Sequence, residues 1–319
     1  MTYLKIDKLQ KSYDGEIPVL KDFSLQLEKG QVVSVIGESG SGKSTLLKIV
    51  AGLESRNTGE VFLNGARISN PKEQLIPGYD EIQLVYQDYH LYPSSSVEEN
   101  IARPLLLYDK SYKIERLNLI LRLLGLEKFR HKLPRQLSGG QQQKVAIGKA
   151  LSIEPQLLLL DEPFSSLDTI QRRELIAELR VMFQKLGITV LFVTHDLDDA
   201  LQMSNELVLI QKGKLIQKGH PEQIFSKPKN IYAAKLFSHL NPIPDKKSIF
   251  IRPSDVQLFK TSGKPAKVIQ KKYLVHFNQL TVQFQNGKTW EVEDKKRIFL
   301  PGDRIFLKWE RDREIGPIK

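Results

Sequence analysis

The segment VVSVIGESGSGKSTLLKIVAGL, Val32–Leu53, decides how the chain is read. Val32 to Ile36 form a short apolar run of the kind found in a strand buried on both faces, and from Ser44 to Leu53 apolar residues recur at helical spacing until Gly52. The bend between strand and helix holds Gly37, Gly40, Gly42 and a lysine. Gly37, Gly42, Lys43 and Ser44 satisfy G-x-x-x-x-G-K-[ST], in which backbone N–H groups converge on an anion and the helix N-terminus adds a favourable dipole. An ordinary Gly-rich turn is the competing reading, and the strand before and helix after argue against it. The pattern therefore predicts a phosphate cradle made of Gly37, Glu38, Ser39, Gly40, Ser41, Gly42, Lys43, Ser44 and Thr45. Lys43 would reach the outer phosphates and Ser44 would ligate Mg²⁺.

Working outward, a chain of 319 residues is long enough for a sizeable core and suggests two domains. It has no cysteine, which excludes a disulfide framework and a thiolate metal site and suits a reducing cytoplasm. No apolar run approaches the roughly 20 residues that span a bilayer, and MTYLKIDKLQKSYDG lacks a signal-peptide core, so a soluble or peripheral protein is expected. The net charge of +11 is uneven. Residues 1–210 carry 25 Lys and Arg against 27 Asp and Glu, whereas residues 211–319 carry 23 against 10. Such an excess fits nucleic acid, an anionic membrane surface or, more commonly, the solvated face of a β-rich module.

Strands and helices alternate over the first two-thirds. LLLLD at 157–161 and ITVLFVTH at 188–195 read as buried strands. Between them, Leu175, Leu179, Met182, Phe183 and Leu186 share one helical face that ends at Gly187. The alternation predicts an α/β fold with a parallel sheet and helices on both faces. Strand signals vanish over residues 88–150, where SYKIERLNLILRLLGLEKF reads as helix, so a helical insertion is expected there. After Phe237 the texture changes to a Pro- and Lys-containing linker over 237–248. Short strand patterns then fill 249–319, a small all-β barrel or sandwich.

A phosphate-loop enzyme needs a second carboxylate-bearing strand to hold its metal, and LLLLDEPFSSLD supplies Asp161. Glu162 follows at the strand end, where it can face the terminal phosphate and orient or deprotonate a water. Upstream stands QLSGGQQQKVAIGKAL, which contains LSGGQ as Leu137 to Gln141. With these motifs the chain resembles the ATP-binding subunits of ABC transporters. The resemblance covers residues 1–236 and includes, in the family's order, the loop at 37–45, VYQDYHLYP around Gln87, LSGGQ, LLLLDEP, SSLD and FVTHDLDDAL.

The resemblance implies a P-loop ABC ATPase cassette with ATP and Mg²⁺ as its ligands. It implies that Gln87 contacts Mg²⁺ and reports to a membrane partner, and that His195 holds the γ-phosphate beside Glu162. Asp168 would bridge two subunits. Ser138, Gly139, Gly140 and Gln141 would form an anion cradle for the nucleotide of a second copy. Tyr13, in KSYDG, matches the position whose ring stacks on adenine, with packing against the first sheet as the alternative. The chain departs from the family's common QRVALARAL at Lys144, Gly148 and Lys149. Gly148 is expected to weaken its helix by about 1 kcal/mol relative to alanine, and Lys144 replaces a planar fork by a point charge.

IFIRPSDV and GDRIFLKWE resemble the OB-like accessory module (TOBE) of importer ATPases for polyamines, ferric iron, sulfate, molybdate or sugars. The expected partners are a second copy of the chain, integral-membrane permease subunits and, indirectly, an extracytoplasmic binding protein, with no specific nucleic acid. QDYHLYPSSSVEENIARPL resembles the importers' segment that receives a permease helix. The expected place is the cytoplasmic face of the cell membrane. An exporter-type energiser and a soluble ABC ATPase acting on nucleic acid are the alternatives. Trp290 and Trp309 would stack on bases in the latter, but in so small a module they are expected to form core.

Overall fold

The computed structural model describes residues 2–13, 17–243, 246 and 248–316; residues 244–245 and 247 of the expected linker lie outside them. Two units with separate cores divide the chain, Met1–Pro221 and Glu222–Lys319.

The first unit runs β1 (Thr2–Tyr13), β2 (Ile17–Glu28), β3 (Val32–Ile36), α1 (Lys43–Val50), β4 (Thr58–Leu63), β5 (Ala66–Arg67), β6 (Ile82–Val85), α2 (Val97–Ala102), α3 (Lys110–Leu123), α4 (Gly139–Leu151), β7 (Leu157–Asp161), α5 (Thr169–Leu186), β8 (Thr189–Thr194), α6 (Leu197–Met203), β9 (Glu206–Gln211) and β10 (Lys214–Gly219). A six-stranded sheet has the order β10-β9-β3-β8-β7-β6, parallel except for β10. Because successive side chains of a strand face opposite ways, β7 and β8 serve two cores at once. Leu158, Leu160, Val190 and Phe192 pack with Leu175, Leu179, Met182 and Phe183 of α5. Leu157, Leu159, Leu191 and Val193 instead join Leu4, Phe23, Val33 and Leu46.

Helices were expected on both faces. The second face is closed by α1 together with a four-stranded antiparallel sheet, order β2-β1-β4-β5, whose long strands carry bulges that blur their period-two signal. On α5 the expected stripe holds except at Leu186, which is exposed, while Ile176 is buried instead. The helix stops at Gly187, as read from the sequence.

In the helical insertion, Gly148 is a packing device. A Cβ there would lie 2.8 Å from Leu124 Cδ1 and 3.1 Å from Ile120 Cγ2, so glycine lets α4 approach α3 closely, which offsets its poor helix propensity. Lys144 makes a single ion pair with Glu178 of α5.

The second unit begins within α7 (Pro221–Ser226) and continues through α8 (Ile231–Phe237), β11 (Asn241–Pro242), β12 (Phe250–Ile251), β13 (Gln257–Phe259), β14 (Lys264–Tyr273), β15 (Asn278–Gln283), β16 (Thr289–Asp294) and β17 (Arg304–Lys308). Its five-stranded sheet, order β13-β17-β14-β15-β16, is antiparallel throughout, consistent with an OB-like module. The division falls after Pro221, upstream of the 236/237 boundary read from composition. The reason is packing: Ala234 of α8 is buried with Leu240 and Ile315, and the Arg252 guanidinium lies 3.7 Å from the centre of the Phe225 ring.

Trp290 is 1% exposed, meets Phe284 edge to face at 5.1 Å and donates its indole N–H to Pro242 O at 3.0 Å. These observations place it in the core. Trp290→Ala should therefore lower the stability of this unit by about 3–5 kcal/mol, read by thermal or denaturant unfolding, and an unchanged transition would contradict the core assignment.

Candidate active site

Parallel register brings the carboxyl ends of β3, β7 and β8 to one edge: Ile36 pairs with Thr194, and Asp161 pairs with Val193. The residues that follow these strands are Gly37, Glu162 and His195, so three distant motifs share one edge, the place where open α/β sheets bind ligands.

The loop after β3 is folded tightly. A Cβ on Gly37 would stand 2.5 Å from Ile210 O and 2.6 Å from Ser41 Oγ, so no larger residue fits. Gly42 is the N-cap of α1 and offers no capping side chain, and the first turn has no acidic residue, which leaves its N–H groups for an external acceptor. Ser41 Oγ is buried without a hydrogen-bond partner among the described residues. Lys43, 5% exposed, donates to Gly37 O at 2.8 Å and Glu38 O at 3.0 Å and stands 3.8 Å from Glu162 Oε1. Burial pushes the Lys43 ammonium below its usual value, against the opposing charges of Glu162 and Asp161. A buried cation short of counter-charge, beside free amide donors and an orphaned hydroxyl, fits a phosphate chain.

Ser44 donates its hydroxyl to Asp161 Oδ1 at 2.9 Å. Burial raises the Asp161 carboxyl above its ordinary range, partly offset by that hydrogen bond. No group of three or more His, Cys, Asp or Glu side chains gathers as a metal cage among the described residues. The Ser44–Asp161 oxygen pair suits Mg²⁺, which commonly takes few protein ligands and completes its shell with phosphate and water.

Glu162 has a left-handed backbone, φ +44°, held by its N–H to Val193 O at 3.0 Å and by Ser165 Oγ donating to its carbonyl at 3.0 Å. That unusual conformation is stabilised from both sides and sets the direction of the side chain. Its Oε2 lies 2.9 Å from His195 Nδ1, so the carboxylate stands between an imidazole and the Lys43 ammonium.

The remaining residues lie apart. Gln87, exposed, donates Nε2 to Ser165 Oγ at 3.2 Å and makes no hydrogen bond to Ser44 or Asp161 among the described residues. Ser138 and Gln141 bond each other as a capping box at the start of α4, beside Gly139 and Gly140. No hydrogen bond joins Ser138–Gln141 to the loop at 37–45 among the described residues; the nearest atoms to a Cβ on Gly139 belong to Leu167, Tyr89 and Ser166. Asp168 is the exposed N-cap of α5, accepting from the N–H groups of Ile170 and Gln171. Tyr13 keeps its ring 45% exposed, with Lys11 Nζ 4.5 Å from the ring centre and its hydroxyl on Glu54.

Sequence reasoning passed over three groups. Ser165 joins Gln87 to the Glu162 carbonyl; Lys11 and Glu54 frame Tyr13; Arg172, Asp196 and Asp199 form a cluster behind His195. Ser165 stands inside SSLD and was legible there, but nothing in spacing signals an ion pair between residues 172 and 196.

The ABC transporter family signature matches residues 20–165. A spermidine/putrescine import ATP-binding protein, PotA, of Thermotoga maritima is 40% identical over 240 residues, 75% of this chain and 64% of that one, so the match spans just under two thirds of its length. PotA of Bacillus cereus is 31% identical over 98% of both chains. A probable sulfate/thiosulfate import ATP-binding protein, CysA, of Chlorella vulgaris is 41% identical over 71% of this chain and 95% of that one. The chain belongs to the ABC transporter family. Among solved structures, this ABC cassette is similar to cbiO1 of Clostridium perfringens, part of the ABC transporter complex cbiONQ, with a TM-score of 0.64 and 28% identity over 71% of this chain and 92% of that one. It is also similar to the ATP-binding cassette MJ0796, a dimer bound to ADP and Pi, with a TM-score of 0.60 and 30% identity over 68% and 98%.

In the ABC ATPase's cluster behind His195, burial and then the Asp196 charge push the Asp199 carboxyl from 3.8 up to about 6. A folded-state value above the unfolded one means that the stabilisation belongs to the protonated form. It is present below pH 3.8 and lost as pH rises through about 6. Asp199→Asn should remove this component of the pH slope and raise stability at pH 7.5 by on the order of 1–3 kcal/mol, read by denaturant unfolding at several pH values. A variant with the wild-type slope would contradict the assignment.

Proposed function

We propose that the chain is the ATP-hydrolysing subunit of an ABC importer for a small solute, in the class to which spermidine and putrescine belong. The observation that carries the reading is the meeting of Lys43, Ser44, Asp161, Glu162 and His195 at one sheet edge, with the signature residues of the same chain elsewhere. Two copies related head to tail would set Ser138–Gln141 of one against Gly37–Thr45 of the other, and the dimeric MJ0796 cassette supports that arrangement. The helix N-terminus behind the exposed Ser138 and half-buried Gly139 and Gly140 is a suitable second anion cradle.

Within that arrangement the loop N–H groups and Lys43 would bind the phosphates, Ser44 and Asp161 would hold Mg²⁺, and Gln87, bonded to Ser165, would be a further contact to the metal. Bound Mg²⁺ supplies charge neutralisation on the phosphate oxygens. Glu162 orients and deprotonates the attacking water, and His195 steadies both Glu162 and the terminal phosphate. The exposed face of Tyr13 stacks the adenine, and Asp168 meets the second subunit. A groove of about 380 Å³ next to Gln87, lined by Ile76, Pro77, Tyr79, Tyr86, Tyr89 and Lys149, takes a helix of the permease. No helix among the described residues is long and apolar enough to cross a membrane. The binding protein acts through those partners, and the chain works at the cytoplasmic face of the membrane.

Glu162→Gln should leave ATP binding intact and lower turnover about 10²- to 10⁴-fold, with a dimer stable to gel filtration in MgATP. Turnover near the wild-type rate, or a monomer in MgATP, would count against the scheme. Lys43→Ala acts one step earlier. Removing its charged contact should weaken ATP binding about 10- to 100-fold in a direct binding titration, and unchanged affinity would sink the cradle assignment.

A further inference from the structure

His195 ends a strand with an exposed ring and one hydrogen bond to Glu162, so packing alone does not hold it. Its backbone neighbours do. Thr194 is paired in the sheet with Ile36, and Thr194 Oγ1 accepts the N–H of Asp196 at 3.0 Å. Asp196 divides its carboxylate. Oδ1 caps α6 by accepting from the N–H groups of Asp198 and Asp199, and Oδ2 takes Arg172 Nη1 at 2.9 Å. Arg172 comes from the first turn of α5, where its own N–H bonds Asp168 O at 2.9 Å. Arg172 Nη1 also stands 3.6 Å from Asp199 Oδ1, a charge contact without a hydrogen bond, and Arg172 Nε is buried with no partner among the described residues. Arg172 thus links the two helices' starting turns, through a hydrogen bond to Asp196 and a charge contact with Asp199.

We infer that Arg172 is a positioning residue for ATP hydrolysis, tying the Asp168 end of α5 to the residue after His195 and so holding His195 against Glu162. The inference rests on the reading of Glu162 and His195 as the hydrolytic pair. It also gives α5 a part in the chemistry, because a shift of its capped end, such as engagement of Asp168 by a second copy, would reach the residue after His195 through the Arg172–Asp196 ion pair. A loss of 1 Å in placement of a catalytic group is enough to lower turnover about 10²-fold, so a residue that never touches the nucleotide can control the rate.

The test uses the full chain, with MgATP single-turnover rates and a separate ATP-binding titration. Arg172→Gln should lower the rate about 10- to 100-fold while ATP affinity stays within about twofold. Arg172→Lys, which keeps one charged donor for Asp196, should recover most of the rate. In a His195→Ala background, Arg172→Gln should change the remaining rate by less than about twofold, because the residue acts through His195. Asp196→Asn retains the capping oxygen and removes the charge facing Arg172, so it should reproduce the Arg172→Gln loss and serves if that variant does not fold. The inference is overturned by a wild-type rate in Arg172→Gln, by an equal loss with and without His195, by no recovery in Arg172→Lys, or by a loss confined to ATP affinity. If His195→Ala alone hydrolyses ATP at the wild-type rate, the reading of the hydrolytic pair fails instead.

Discussion

A buried ammonium without enough counter-charge is the constraint on which the site depends. Lys43 is 5% exposed, satisfies two protons on carbonyls of its own loop, and finds its nearest carboxylate at 3.8 Å. Burial weakens the charged form of Lys43, and burial also weakens the charged form of Asp161. Each charge is thus held at a desolvation cost that a ligand of opposite charge would offset. In the proposed function the phosphates of a nucleotide would face Lys43 and its metal would face Ser44 and Asp161, and a residue larger than glycine does not fit at Gly37.

The rest of the first unit keeps that edge in place. Parallel pairing of β3, β7 and β8 aligns their ends, and the two cores clamp the sheet from both sides, each leucine contributing about 1.5–3 kcal/mol by leaving water. The side chains at the edge then hold one another through polar links. Ser165 ties Gln87 to the Glu162 backbone, Glu162 ties Lys43 to His195, and Arg172 ties the start of α5 to Asp196.

The basic carboxyl-terminal unit is organised differently. Its tryptophans pack inward: Trp290 meets both Phe284 and Trp309 at 5.1 Å. The lysines lie on exposed faces such as that of β14, so the excess of positive charge is carried on the surface of a β module with no aromatic platform built from its tryptophans.

Much of this was legible in the sequence. The phosphate loop, LLLLDE, THD and LSGGQ are local patterns, so the sequence alone singled out Lys43, Ser44, Asp161, Glu162 and His195 as candidates, which the structure brings to one sheet edge. The period of α5 and its stop at Gly187 were equally local. What required the tertiary structure were relations between distant residues. The antiparallel sheet on one face, the ion pair from Arg172 to Asp196, the close approach that makes Gly148 fit, and the division after Pro221 each depend on which elements meet. A sequence states the preferences of a segment for strand, helix or turn; only packing decides which buried charge faces which, because the energies involved arise between segments and leave no periodic trace within either one.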